Sequence, residues 1–152
     1  MGAVEIEEGI HAVRVERELE IAASAEVVFQ SVLDELGPEG EMPDGTPFPM
    51  VLEPHVGGRW YRDLGDGAGH FWGCVQVIKP PTLLELCGPM FMSYPAVSHV
   101  QYRLTASGSG TTLRLTHRAF GQIPADHREG VHAGWDHGLQ RVKTIAERKA
   151  SR

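Results

Sequence analysis

The chain has 152 residues, with 14 Lys and Arg against 20 Asp and Glu, so its formal net charge at pH 7 is -6. This length favours one domain, expected to span residues 1–152, and allows a sizeable buried core. The acidic balance argues against non-specific binding to nucleic acid or to anionic membranes.

The sequence also indicates whether the chain crosses a membrane, is secreted or forms disulfides. No apolar run approaches the roughly 20 residues of a membrane span, and residues 1–14 lack the apolar core of a signal peptide. Cys74 and Cys87 are too few for a disulfide framework. The sequence therefore predicts a soluble cytoplasmic protein, present as a monomer or a homodimer.

Apolar and charged residues alternate from Val13 to Ile21, which predicts a strand with one solvated, acidic face. Arg17 shares the apolar side of this alternation, so it either points inward or reaches solvent at a strand end or a bulge. We expect the second arrangement. Ser24 is a favourable N-cap for a following helix. The apolar stripe of that helix consists of Val28, Phe29, Val32, Leu33 and Leu36.

Gly37 and Pro38 should end this helix, and residues 37–49 are predicted to form a long surface loop because they are rich in Pro and Gly. Strands are then predicted over residues 57–62, 71–78, 83–87, 97–104 and 111–117. Pro124 should begin a long final helix. The apolar stripe of this helix consists of Val131, Trp135, Leu139 with Gly138, Val142, and Ile145 or Ala146. This order of elements predicts an α+β fold with the helices on one face of an antiparallel sheet.

The turn at residues 79–82 predicts a register for the two strands that flank it. The predicted pairs are Ile78 with Leu83, Gln76 with Glu85, Cys74 with Cys87, Val75 with Leu86, and Val77 with Leu84. This register gathers the apolar side chains on one face, which a one-residue slip would scramble. We expect the two thiols to be reduced neighbours.

Several weak motifs occur in a characteristic order. They are Ala22-Ala23-Ser24-Ala25 to Phe29, Val56-Gly57-Gly58-Arg59-Trp60, Gly73 followed by Lys79-Pro80-Pro81, Gly110-Thr111-Thr112-Leu113 running to Thr116-His117, and His132-Ala133-Gly134-Trp135 to Leu139. Together they resemble the START-like (SRPBCC, polyketide cyclase or Bet v-like) superfamily, and within it the homologues of the activator of the heat-shock ATPase. The resemblance implies a helix-grip fold, in which a curved sheet wraps around the C-terminal helix, with a shorter helix or helices after the first strand. That family usually has a tryptophan-rich segment after the first helix, and residues 41–50 contain no tryptophan.

Strand alternation and the resemblance together predict a cavity between the sheet and the final helix. The predicted lining is Trp60, Val75, Val77, Leu84, Leu86, Val100, Tyr102, Leu104, Leu113, Leu115, His117, Val131, His132, Trp135 and Leu139. The alternative is a solid core, since protein interiors are close-packed.

His117, His132 and Tyr102 are the candidate catalytic side chains, with Arg17 as a further polar group. The alternative, which we favour, is that the two histidines are structural and fix the helix to the strand. No metal site or cofactor is predicted, because His127, His132 and His137 are each five residues apart and turn by about 140° around a helix. No nucleophile elbow or phosphate-binding loop is present.

Three functions remain open at this point. The first is a non-catalytic protein that binds a small apolar or aromatic molecule or a lipid. The second, implied by the resemblance, is an interaction module that contacts the 90-kDa heat-shock chaperone. The third is an enzyme similar to polyketide cyclases or dehydratases. An open apolar cavity favours the first, an exposed apolar patch over a filled core the second, and convergent titratable groups the third.

Overall fold

The computed structural model describes residues 2–3, 9–90 and 93–152. The elements in chain order are β1 (His11–Ile21), α1 (Ala25–Leu36), β2 (Val51–Leu52), β3 (Arg59–Gly65), β4 (Ala68–Lys79), β5 (Leu83–Gly88), β6 (Ala96–Ser107), β7 (Gly110–Gly121) and α2 (Ala125–Ala150). Within the described residues the strands form one antiparallel sheet in the order β1-β7-β6-β5-β4-β3-β2. The two helices pack against each other and against this sheet. The predicted α+β helix-grip arrangement is confirmed.

Helix α1 forms as the sequence predicts. The hydroxyl of Ser24 accepts a hydrogen bond from the backbone N–H of Val27, and Gly37 is the C-cap residue. The stripe residues Val28, Phe29 and Val32 are buried in the core. The loop 37–50 then turns back, with the N–H groups at positions 48 and 50 donating to carbonyls at positions 40 and 37. This loop therefore lies next to the C-terminal end of α1.

Helix α2 is buried unevenly along its length. The helix begins at Ala125, one residue later than predicted, and Pro124 is its N-cap residue. Leu139, Val142 and Ala146 in the C-terminal half are at most 5 % exposed, whereas Val131 and Trp135 in the N-terminal half are only partly buried. The helix is therefore packed closely onto the sheet at one end and less closely at the other.

The predicted register between β4 and β5 is correct at one end and wrong at the other. Cys74 lies opposite Cys87, and Val75 lies opposite Leu86, as predicted. The turn instead begins with Lys79 opposite Leu83, and a bulge between Val75 and Val77 restores the register. The remaining pairs are therefore Ile78 with Leu84 and Val77 with Glu85. Because successive side chains alternate between faces, the bulge moves Val77 to the face away from the core and brings Ile78 onto the core.

Arg17 does not leave the sheet at a strand end or a bulge, so that expectation was wrong. The ladder between β1 and β7 is regular, and Arg17 lies opposite Leu115 in its middle. Its Nε donates to Asp136 Oδ1 over 2.6 Å, and its Nη2 lies 3.2 Å from His132 Nδ1. An inward-facing guanidinium is tolerated because α2 supplies the opposite charge.

The interior of the curved sheet is filled by side chains. The predicted lining residues that lie instead in this packed core are Val75, Leu84, Leu86, Val100, Tyr102, Leu104, Leu113, Leu115 and Leu139. No helix among the described residues is both long and apolar enough to cross a membrane. Positions 1 and 4–8 of the N-terminal stretch considered above lie outside the described residues.

Candidate ligand-binding cavity

A cavity of about 370 Å³ lies beside the loosely packed half of α2. Its lining residues are Glu35, Leu36, Gly40, Glu41, Met42, Pro43, Phe48, Met50, Trp60, Trp72, Met90, His117, Val131, Gly134, Trp135, His137 and Gly138. They come from the end of α1, the loop 37–50, β3, β4, the segment after β5, β7 and α2. The cavity therefore lies between the sheet and the C-terminal helix, as predicted, but toward the loop and not over the centre of the sheet.

Glycines on α2 help to explain why this space is open. Gly134 and Gly138 both line the cavity. Apart from the backbone of its own helix and its chain neighbours, a Cβ atom placed on Gly134 would meet no heavy atom of the described residues within 4 Å. One placed on Gly138 would lie 3.2 Å from Glu35 Oε1. Further along the same helix, Leu139 and Val142 are buried in the core. Because glycine has no side chain, the space between this face of α2 and the sheet remains unfilled.

Aromatic rings form much of the cavity wall, and all three tryptophans of the chain belong to it. The rings of Trp60 and Trp72 meet edge to face at 5.2 Å, and Phe48 lies 6.2 Å from Trp72. Trp60 is held in place because its Nε1 donates to the carbonyl of Leu36 over 2.8 Å. The Nε1 of Trp72 is buried and has no hydrogen-bond partner among the described residues. The wall is therefore mainly apolar and aromatic.

His117 connects β7 to α2 at another side of the cavity. Trp135 Nε1 donates to His117 Nδ1 over 2.8 Å, so Nδ1 carries no proton. The proton of the neutral ring is then on Nε2, which lies 3.0 Å from Ser98 Oγ on β6. Burial lowers the pKa of His117 to about 4, with a smaller contribution from His99. The ring is therefore neutral at pH 7 and fixes the helix to the strand.

Charged side chains lie at the loop side of the cavity. Glu41 Oε1 lies 3.0 Å from His137 Nε2, and Glu41 Oε2 lies 3.5 Å from Arg141 Nε. Arg141 also donates to the carbonyl of Glu39 over 2.6 Å. Burial raises the pKa of Glu35 from 4.5 to about 7, opposed by Arg141 and reinforced by Glu41. A partly buried carboxyl group with a pKa near neutral thus lines a mainly apolar space.

The predicted site residues divide into several groups. Trp60, His117, Val131 and Trp135 line the cavity. His132 contacts Arg17 instead. Tyr102 is 1 % exposed, with its ring edge-on to that of Trp135 at 6.3 Å, and burial raises its pKa well above the ordinary value. The three candidate catalytic side chains therefore do not converge on the cavity.

Sequence reasoning missed Glu35, Phe48, Met50, Trp72, Met90 and His137 among the lining residues. Glu35 follows Val32 by three residues, so its place at the edge of the apolar stripe of α1 was a usable signal. Trp72 was missed because the bulge between Trp60 and Tyr61 changes the pairing of β3 with β4. The loop residues carried no periodic signal.

The three histidines of α2 each contact a different residue. His127 contacts Tyr94, His132 contacts Arg17, and His137 contacts Glu41. Within residues 2–3, 9–90 and 93–152, no group of three His, Cys, Asp or Glu side chains is arranged to hold a metal ion.

Comparison with known families gives one match over most of the chain. The family model described as "Activator of Hsp90 ATPase homolog 1-like protein" matches residues 22–147. This range begins just after β1 and ends within the last turns of α2, so it includes every cavity-lining residue. No curated protein matches the sequence.

Solved structures with the same fold come from several bacteria. An uncharacterized protein from Rhizobium leguminosarum is 16% identical, with a TM-score of 0.72 over 92% of this chain and 97% of that chain. DynU16, described as a putative protein in the dynemicin biosynthetic locus, is 21% identical, with a TM-score of 0.65 over 93% of this chain and 49% of that chain. The di-domain ARO/CYC protein StfQ from the steffimycin biosynthetic pathway is 16% identical, with a TM-score of 0.63 over 93% of this chain and 52% of that chain. At these identities the likeness shows a shared fold alone.

Proposed function

We propose that this chain, which belongs to the family of Activator of Hsp90 ATPase homolog 1-like proteins, binds a small apolar or aromatic molecule in the cavity beside α2. The observation that supports this most is the cavity itself, with its volume of about 370 Å³ and its three tryptophans. Sites for small molecules typically have about 300–1,000 Å³ and mainly apolar walls with a few polar groups.

The energetics favour an apolar occupant. Apolar surface removed from water contributes roughly 25 cal/mol per Å². The edge-to-face rings of Trp60 and Trp72 offer flat aromatic surface, and Trp60 is fixed by its hydrogen bond to Leu36. A planar ligand would therefore pack against rings that are already held in position, which limits the entropy lost on binding.

The test uses N-phenyl-1-naphthylamine, a neutral apolar dye whose absorption overlaps tryptophan emission. Because Trp60, Trp72 and Trp135 all line the cavity, dye binding should quench most of the tryptophan emission of the chain. We expect saturable binding of one dye per chain. Absence of saturable binding to the folded protein would contradict the proposal.

A matched pair of variants locates the binding site. Gly134→Leu adds a side chain where a Cβ meets only open space, and it replaces helical glycine with a good helix former. Dye affinity should fall by about tenfold or more, while the protein remains folded. Gly130→Leu, one turn away, also adds its Cβ in open space but lies outside the cavity lining, so it should leave affinity unchanged. Equal affinity in both variants would place the dye elsewhere.

Contact with a chaperone is the second candidate, and one surface feature favours it. Val97 and Phe120 lie directly opposite each other on neighbouring strands and are 48% and 61% exposed. If this pair contacts the 90-kDa chaperone, the double variant Val97→Ser, Phe120→Ser should abolish stimulation of its ATPase and leave dye binding intact. Unchanged stimulation, or none by the wild type, counts against this candidate.

A further inference from the structure

We propose that the ligand of this cavity carries a protonated amine that pairs with the carboxylate of Glu35, so that the site selects apolar amines over neutral or anionic molecules of the same shape. This inference deepens the proposed function and rests on it. It assigns Glu35 a role in recognition that the aromatic and aliphatic part of the cavity wall does not supply.

The first observation is that Glu35 lacks a direct partner. Its side chain lines the cavity and packs against Gly138, whose added Cβ would lie 3.2 Å from Oε1. Among the described residues, no hydrogen bond or ion pair engages this carboxyl group. Buried carboxylates in proteins are normally paired or hydrogen-bonded, because loss of hydration is costly. A cation entering the cavity would supply the missing partner.

The second observation is the balance of charge around Glu35. Arg141 is the nearby cation, but its guanidinium group donates to the carbonyl of Glu39 over 2.6 Å and lies 3.5 Å from Glu41 Oε2. His137 is also engaged, at 3.0 Å from Glu41. Among the described residues, the carboxylates of Glu35, Glu39 and Glu41 thus face one guanidinium group, that of Arg141. This excess of negative charge attracts a cation and repels an anion such as a fatty-acid carboxylate.

The third observation is the aromatic wall. Phe48, Trp60, Trp72 and Trp135 line the same cavity as Glu35. Trp60 links the two features, because its indole N–H donates to the carbonyl of Leu36, the residue next to Glu35. Aromatic faces attract ammonium groups and also pack well against apolar bodies. A carboxylate beside aromatic rings suits an aryl or alkyl body that bears a primary amine.

The test compares probes of matched shape. 1-(Aminomethyl)naphthalene is a cation at neutral pH, 1-(hydroxymethyl)naphthalene is neutral, and 1-naphthoate is an anion. Each probe is titrated into wild-type protein that has bound N-phenyl-1-naphthylamine, and displacement of the dye is followed by fluorescence. Isothermal titration calorimetry then gives the affinity of each probe directly. We expect the amine to bind about tenfold more tightly than the alcohol, and the anion more weakly than either.

Glu35→Gln keeps the shape of the side chain and removes its charge. The preference for the amine over the alcohol should fall to about twofold or less in this variant, while the affinity for the alcohol changes little. Glu26→Gln is the matched control, because it makes the same change of charge on the exposed first turn of α1. It should keep the wild-type preference.

The pH dependence in the wild type gives a second measurement that needs no variant. The amine stays protonated from about pH 8 to about pH 5.5, as lysine does. Glu35 becomes neutral over this range, so the amine preference should decrease as the pH falls. The groups that face it are Arg141 and His137 on α2, Glu41 on the loop and Tyr102 on β6. A pH effect of the same size in Glu35→Gln would show that Glu35 is not the group responsible.

The outcomes separate the two proposals. If the dye and the alcohol bind but the amine has no advantage, or if the advantage survives in Glu35→Gln, the role of Glu35 is overturned and the proposed function stands. If neither the dye nor any probe binds, both proposals fail.

Discussion

Trp135 Nε1 on α2 donates a hydrogen bond to His117 Nδ1 on β7, over 2.8 Å, and the two rings meet edge to face at 5.3 Å. This contact lies at the end of the helix that packs least closely, where the cavity opens. One hydrogen bond therefore fixes both the tautomer of the histidine and the position of the helix above the cavity.

Removing the indole should destabilise the protein markedly. Trp135→Ala is expected to lower the free energy of unfolding by about 3–5 kcal/mol, since it removes a large aromatic side chain and leaves His117 without its donor. Denaturant titration followed by circular dichroism measures this change. A loss below about 1 kcal/mol would mean that Trp135 does not anchor the helix.

His117 should stay neutral through the physiological range. Because burial lowers its pKa to about 4, stability associated with the neutral ring is complete above its ordinary value near 6.5 and decreases as the pH falls toward 4. Ring ¹⁵N chemical shifts recorded from about pH 8 to about pH 4 should show a proton on Nε2 and none on Nδ1. Titration near pH 6.5, or a proton on Nδ1, would contradict the assigned hydrogen bonds.

Glu35 should make the empty protein less stable at higher pH. Its pKa is about 7 in the folded protein and near 4.5 when unfolded, so the folded state holds the extra proton between these values. The stabilisation is therefore complete below about pH 4.5 and is lost as the pH rises through 7.

Glu35→Gln should remove this loss, so the variant gains stability relative to wild type as the pH increases. Thermal unfolding of both proteins at several pH values measures the difference. A constant difference between them across this range would show that Glu35 titrates normally. Glu26→Gln serves again as the exposed control.

Trp60 and Trp72 should respond differently to the same substitution. Trp60→Phe deletes the donor to the carbonyl of Leu36 and leaves that buried group unpaired, which costs about 1–3 kcal/mol beyond the loss of packing. Trp72→Phe removes a donor that has no partner among the described residues, so no such penalty arises. Urea unfolding measures the loss in the free energy of unfolding for each variant. A larger loss for Trp72→Phe than for Trp60→Phe would contradict this prediction.

Local patterns in the sequence predicted the elements but not all of their pairing. Ser24 and the apolar stripe of α1 were recognisable because capping and helical periodicity depend on neighbouring residues. Cys74 was correctly placed opposite Cys87. The bulge that moves Val77 away from the core had no local signal, because it compensates for a shift at the turn several residues away.

The position of the cavity was the main feature that the sequence left undecided. Strand alternation identified Val100 and Leu115 as inward-facing, and both are fully buried, yet they pack in the core and do not line the space. By itself the sequence determined the fold class, the helix stripes and the apolar face of the sheet, since each follows from local periodicity. Only the tertiary structure decided that Glu35 and Trp72 line the same cavity as Gly134, because this depends on how closely α2 approaches the sheet and where the loop 37–50 lies.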